Sequence, residues 1–220
     1  MSLCSNRLRL LPRSSLTRTG EFDHADWNYR PALGFVQRAR FRLVDSMIRG
    51  TRVDRMLEVG YGSGVLLPHL ERRCSELYGI DIHPFDKDVF EALQACCVTV
   101  QLKSASVTKM PFESAFFDAI VTVSALEYVQ EIHAACREIK RVLRPGGEFI
   151  AVAPMSSTLL DLGLRIIGGE DAGANYGTRR ERLLEVLGEH FSIEETRLWP
   201  PGLPRRLAIY RGLRLTVRGD

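Results

Sequence analysis

Met56-Leu57-Glu58-Val59-Gly60-Tyr61-Gly62-Ser63-Gly64 is the stretch on which the reading of this chain turns. An apolar run ends in an acidic residue, and three glycines then alternate with other residues. Such a run reads as a buried strand delivering the backbone to a tight turn free of side chains. A nucleotide-like ligand can lie there against bare N–H groups at the start of the following helix. A second apolar run ends at Ile80-Asp81, about twenty residues on, the spacing at which a neighbouring strand end offers a carboxylate to ribose hydroxyls. Together these features predict a site for an adenosine-type cofactor.

Outward from the turn, apolar periodicity alternates between strand and helix. Leu33, Phe35, Val36, Ala39, Phe41, Leu43, Val44, Met47 and Ile48 predict a helix over 31–48, with Gly50 placed for a left-handed cap. Strands are expected at 53–59, 77–82, 98–102, 118–123 and 148–154, and helices at 65–72 and 86–96. Ile132, Cys136, Ile139 and Leu143 mark a further helix, stopped by Pro145-Gly146-Gly147. Thr178-Arg179-Arg180-Glu181 is a capping box that predicts a helix start. Two last strands are expected at 191–198 and 207–215, joined by Pro200-Pro201-Gly202-Leu203-Pro204. The alternating order predicts an α/β fold with a doubly wound, mostly parallel sheet, whose motif-bearing turns lie at the carboxyl ends of strands.

Composition bounds the rest. The 220 residues suit one domain, and a net charge of +3 is too small to imply a nucleic acid partner. No apolar run reaches the roughly 18 residues that a membrane span needs. Five cysteines, an odd number without a C-x-x-C pair, argue against a disulfide framework or a zinc site. Cys96-Cys97 is expected at the small apolar end of a buried helix, and the compartment is expected to be reducing and cytoplasmic. Residues 1–20 are rich in arginine and serine and carry no acid, a composition shared with organelle transit peptides. They read as a basic, disordered leader.

The glycine turn is not the dinucleotide pattern G-x-G-x-x-G, because position 65 is Val65. Its acid-x-G-x-G-x-G form resembles the first motif of the class I S-adenosylmethionine-dependent methyltransferases, in particular their type 11-like group. Met110-Pro111-Phe112 followed by Phe116-Phe117-Asp118-Ala119-Ile120-Val121 is similar to the segment entering that family's fourth strand. Arg141-Val142-Leu143-Arg144-Pro145-Gly146-Gly147 is similar to the turn before its fifth. The resemblance runs from Met56 to Pro154 and implies a Rossmann-like methyltransferase fold with an antiparallel C-terminal strand at one sheet edge. It implies that Glu58 lies near the cofactor's amino group, that Gly60, Tyr61 and Gly62 receive its aminocarboxypropyl tail, and that Asp81 takes the ribose hydroxyls. Ile82 would wall the adenine, and Ser124 would complete the set. The family often has an aspartate for the adenine N6 amine where this chain has Ser106; its hydroxyl can accept the same bond, beside the N–H of Val107.

The acceptor side carries fewer signals. Ser124-Ala125-Leu126-Glu127-Tyr128 follows the fourth strand, not the N-P-P-[YF] of enzymes that methylate planar amines, which counts against nucleic acid bases and release-factor-type substrates. No cysteine sits in a motif for covalent base methylation. O-, N- or C-methylation of a small molecule or biosynthetic intermediate remains, with Glu127, Tyr128 and His133 as catalytic candidates. Trp27 and Tyr29 are placed to cover the cofactor or to staple the leader to the domain. Residues 155–177 read as an acceptor lid, rich enough in leucine and isoleucine to suit an apolar acceptor or peripheral contact with a membrane. The organisation expected is the leader and then one domain over 21–220: a helical cap at 21–50, a cofactor core at 51–154, the lid, and a helix with a strand pair at 178–220. Two other classes stay open, a binding module without catalysis and an NAD(P)-dependent oxidoreductase. Val65 and the Pro145-Gly146-Gly147 turn count against the second.

Overall fold

Phe117–Val123 is buried at all seven positions, as expected of a parallel strand covered on both faces, and it lies at the centre of the sheet. The computed structural model describes residues 8–20, 23–50, 52–155 and 173–218, with backbone alone for 173–181. The chain forms β1 (Val53–Val59), β2 (Cys74–Asp81), β3 (Gln101–Ser104), β4 (Phe117–Val123), β5 (Leu143–Pro154), β6 (Phe191–Trp199) and β7 (Tyr210–Val217). Its helices are α1 (Pro31–Met47), α2 (Leu67–Leu70), α3 (Asp86–Ala95), α4 (Ile132–Val142) and α5 (Gly173–His190).

The seven strands are ordered β3-β2-β1-β4-β5-β7-β6. The pairs from β3 to β5 are parallel, and β7 lies antiparallel between β5 and β6. Side chains of the strands alternate between two cores. Met56, Ala119, Val121, Ile150 and Val152 face α1, α2 and α3, whereas Leu57, Ile120, Phe149, Leu213 and Leu215 face α4 and α5. Helices on both faces of a largely parallel sheet are the doubly wound arrangement.

Several local expectations need correction. The leader is packed from Leu8 onward: Leu11 is fully buried, its N–H donates to the Val65 carbonyl at 3.1 Å, and the Tyr29 hydroxyl donates to the Leu11 carbonyl. Arg9 reaches Glu71 at 3.3 Å and the Cys96 carbonyl at 3.1 Å. Leu8, Leu10, Leu11 and Leu16, with these bonds, offset the entropy that composition alone suggested would leave the segment loose. The helix after the glycine turn is only Leu67–Leu70, because Pro68 lacks an N–H and is tolerated only in a first turn. The third strand is Gln101–Ser104 and not 98–102; Val98 and Val100 are buried, but pairing with β2 begins after them. Cys97 is exposed with φ 55°, so it ends a helix at the surface. The last helix begins at Gly173, five residues before the capping box.

Leu143 pairs with Phe117 and Glu148 with Ala119, so Arg144-Pro145-Gly146-Gly147 forms a bulge inside β5 and not only a helix stop. A Cβ on Gly147 would stand 2.9 Å from the Asp118 carbonyl oxygen and 3.0 Å from that of Arg144. Both neighbours are backbone and cannot move away cheaply. Gly147→Ala is therefore expected to lower stability by about 1–3 kcal/mol, read as a lower urea midpoint with an unchanged slope. An unchanged midpoint would show that the bulge relaxes freely.

Candidate active site

Four strand ends are tied together at one edge of the sheet. Gly60 N–H donates to the Ile80 carbonyl at 2.8 Å, Ala105 N–H to Asp81 at 2.8 Å, and Ser124 N–H to Val152 at 2.8 Å. The Thr122 hydroxyl donates to the Val59 carbonyl at 3.1 Å. Gly60, Gly62 and Gly64 have φ of 75°, 51° and 72°, left-handed values that favour glycine. A Cβ on Gly60 would collide with that of Ala125, whereas above Gly62 the nearest atom is the Thr19 hydroxyl at 3.9 Å. The turn thus presses on the end of β4 and leaves bare backbone at Gly62.

Asp81 braces that backbone. One carboxylate oxygen accepts from Gly62 N–H at 2.8 Å and the other from Ile82 N–H at 2.7 Å. A carboxylate has about four acceptor positions, so two remain. His83, absent from the sequence expectations, adds a second brace. Its Nδ1 accepts from Phe85 N–H at 3.2 Å, so Nε2 carries the proton and donates to the Gly62 carbonyl at 3.0 Å. Tyr61 packs edge-on against the same ring at 5.0 Å and is buried. Its hydroxyl has no hydrogen-bond partner among the described residues, and burial, with the nearby Asp81 charge, raises its pKa. Ile82 is 78 % exposed, an apolar surface beside Asp81.

Glu58 is 3 % exposed at the end of β1, and its Oε2 has no hydrogen-bond partner among the described residues. Burial first, and the Asp81 charge second, push its carboxyl up to about 8, with Arg40 of α1 pulling the other way. A buried acid with an orphaned oxygen is costly unless a donor or cation meets it.

Other candidates have local surroundings of their own. The Ser106 hydroxyl accepts from Thr108 N–H at 3.2 Å and shares a hydrogen bond with the Thr108 hydroxyl at 2.8 Å, so it serves a local turn; Val107 beside it is buried. Ser124 adopts φ 54° at the β4 end. Trp27 stacks on His24 at 4.3 Å, and Tyr29 holds the leader, so the stapling role is the one realised for Tyr29. The leader is tied to the glycine turn through the cap: Asp23 accepts from the Ser63 hydroxyl at 2.5 Å and from the Thr19 hydroxyl of the leader at 2.8 Å. No motif announces these contacts.

A cavity of about 580 Å³ adjoins this turn at Ala125. Its walls come from Thr122 and Leu126 at the β4 end, Ala151 to Pro154 of β5 with Met155 just after it, Leu183, Leu184 and Leu187 of α5, Leu213 of β7, and the charged Glu127, Glu185, Arg205, Arg206 and Arg211. Of the catalytic candidates, Glu127 is buried on this wall, Tyr128 is 45 % exposed, and neither Tyr128 nor His133 lines it. His133 instead lies 3.1 Å from His190 and 3.8 Å from Glu189. Residues 156–172 of the expected lid lie outside the described residues, and Gly173 and Gly177, at its end, belong to α5.

Residues 57–151 match the family model for a methyltransferase domain. A ubiquinone biosynthesis O-methyltransferase of Paracidovorax citrulli is 27 % identical over 166 residues, covering 71 % of this chain and 68 % of that protein. A sterol 4-C-methyltransferase of Caenorhabditis elegans is 30 % identical over 97 residues, covering 43 % of this chain but only 29 % of the nematode protein. The fold matches the crystal structure of an S-adenosylmethionine-dependent methyltransferase from Aquifex aeolicus with a TM-score of 0.67 at 15 % identity, over 90 % of this chain and all of that one. The fold is thus that of the Rossmann-like methyltransferases. Residues 57–151 are similar to methyltransferase domains, a likeness that implies S-adenosylmethionine as the cofactor.

The residues present fit such a group. An orphaned buried carboxyl at Glu58 suits an ammonium, the free acceptor positions of Asp81 suit a diol, and exposed Ile82 suits a flat ring. Glu58 makes this testable. Its folded pKa is raised above the ordinary 4.5, so its contribution to stability is full below that value and is lost as pH rises through about 8. At about pH 6.5 a bound amino group is already an ammonium, and meeting it converts Glu58 to the carboxylate. Calorimetric titration with S-adenosylhomocysteine is expected to release close to one proton at that pH, seen as heats that vary with the buffer's ionisation enthalpy, and Glu58→Gln is expected to abolish the variation. Identical buffer dependence in both proteins would remove Glu58 from the cofactor site.

Proposed function

We propose that this chain transfers the methyl group of S-adenosylmethionine to a small-molecule acceptor held in the cavity beside the glycine turn. The observation that carries the reading is the contact of Gly60 with Ala125, which sets the cofactor turn and the cavity wall side by side. The cofactor supplies a methyl group already activated on a sulfonium, so the protein's work is positioning and exclusion of water.

In this reading Glu58 holds the amino group, Asp81 takes the ribose hydroxyls, and the bare backbone at Gly62 receives the tail. Ile82 and Val107 flank the adenine, with Ser106 at the rim. Ala125, Thr122 and the β5 end orient the acceptor for direct in-line displacement. Glu127, the one catalytic candidate on the cavity wall, takes a proton from the acceptor during transfer in this reading. The quinone and sterol methyltransferases among the relatives support a small, largely apolar acceptor, as does the leucine-rich wall. A binding module without catalysis would keep Glu58, Gly60, Gly62 and Asp81 and is separated by activity alone.

The test is transfer of labelled methyl from S-adenosylmethionine into cell extract, with the product identified by mass. Labelled product is expected with the parent protein. Ala153→Trp, which fills the cavity from β5, is expected to cut transfer by about a hundredfold while S-adenosylhomocysteine affinity stays within about threefold. No labelled product with any extract would favour the binding module, and parental transfer by Ala153→Trp would move the acceptor elsewhere.

A further inference from the structure

Alternate residues of β7 point to one face, and Leu213 and Leu215 on that face are core residues packed toward α4 and α5. Arg211 continues the same face at the end of the strand and stands, half-buried, on the cavity wall. Placing a guanidinium where the pattern calls for an apolar side chain costs free energy unless an anion meets it. The neighbouring Arg214 illustrates the usual solution: it is 5 % exposed and held by Glu195 at 2.6 Å and Glu148 at 3.4 Å. Arg211 has no ion pair or hydrogen bond among the described residues, and the charge nearest in effect is another cation, Arg205. Burial first, and that like charge second, pull its pKa below the ordinary value.

Arg205 and Arg206 are held in place by a braced turn. They follow the Pro200-Pro201-Gly202-Leu203-Pro204 connection, whose prolines fix φ, and open the 3₁₀ turn Arg205–Leu207. Leu207 N–H donates to the Pro204 carbonyl at 2.8 Å, Ile209 N–H to Trp199 at 2.8 Å, and Met155 N–H to Ile209 at 2.8 Å. That chain of bonds links the turn to the end of β5, the floor of the cavity. The acids on the wall, Glu127 from the β4 end and Glu185 on α5, come from other elements.

We propose that the acceptor is an amphiphile: an apolar body seated on Leu126, Leu183, Leu187 and Leu213, and an anionic head, carboxylate or phosphate, clamped by Arg211 and Arg205. The proposal rests on reading the cavity as the acceptor site. Guanidinium groups bind such oxyanions with paired, charge-assisted hydrogen bonds, and the apolar surroundings of Arg211 strengthen them relative to water. A neutral acceptor would leave Arg211 desolvated beside Arg205 with nothing in return.

Octanoate, octyl phosphate and 1-octanol share one apolar chain and differ in the head, and each is titrated into the full chain with and without saturating S-adenosylhomocysteine. The parent is expected to bind at least one of the anions about tenfold or more tightly than octanol, and the tighter anion separates carboxylate from phosphate. Arg211→Gln is expected to bring that preference to within about twofold while octanol affinity holds. Arg205→Gln, on an exposed turn where folding is not at risk, is expected to reduce it by about threefold. Equal affinity of the parent for all three ligands overturns the proposal, and so does a preference that survives both substitutions. Failure of S-adenosylhomocysteine to bind would strike at the cofactor reading instead, since the titrations without it read the head-group preference independently.

Discussion

At Gly60 the chain has no room for a side chain, because the Cβ of Ala125 already occupies the space where one would project. The left-handed φ of 75° at the same residue lets β1 turn sharply as it leaves the sheet. These two demands meet on one residue and join the halves of the site. On one side Gly62, Asp81 and His83 form a hydrogen-bonded cradle, and on the other Ala125 opens the cavity wall. A larger residue at position 60 would push β4's end outward and separate a donor from its acceptor. Chemistry that depends on in-line alignment tolerates little of that.

Electrostatics follow the same geometry. Two acids, Glu58 and Asp81, face one turn, and the Asp81 charge adds to the cost of charging the buried Glu58. Asp81 is relieved by two backbone N–H groups, while Glu58 is left with an orphaned oxygen in the interior. The arrangement is poised for a cation, as a sulfonium and an ammonium on one ligand provide. The cavity has the opposite character, with three arginines on its wall against two acids. In the proposed reaction these opposite preferences would let donor and acceptor be told apart by charge as well as by shape.

Much of this was legible in the sequence because it is written in backbone chemistry. Glycines at 60, 62 and 64, an acid before them and an acid after Ile80 demand a particular turn, and the sheet delivers it. The parallel strands were readable because continuous apolar runs are needed where both faces are covered. β3 was misplaced because Val98 and Val100 are buried before pairing starts, and the paired residues Gln101–Ser104 are polar at the sheet edge. The leader was misjudged because its arginines and serines outnumber Leu8, Leu10, Leu11 and Leu16, yet those leucines find the core. Arg205-Arg206 looks like a solvated turn in sequence. Only the register of β7 against β5, with Arg211 opposite Ala153, shows that the same wall carries a third arginine.

In the proposed reading, the glycine turn and the acids at the ends of β1 and β2 form an S-adenosylmethionine site. Its most direct test is calorimetric titration of S-adenosylhomocysteine into the parent and into Asp81→Ala, with thermal unfolding followed on both. Both proteins are expected to unfold cooperatively, and Asp81→Ala is expected to bind about ten- to hundredfold more weakly, the loss expected for charge-assisted hydrogen bonds to a ribose. Binding by Asp81→Ala as tight as by the parent would contradict it.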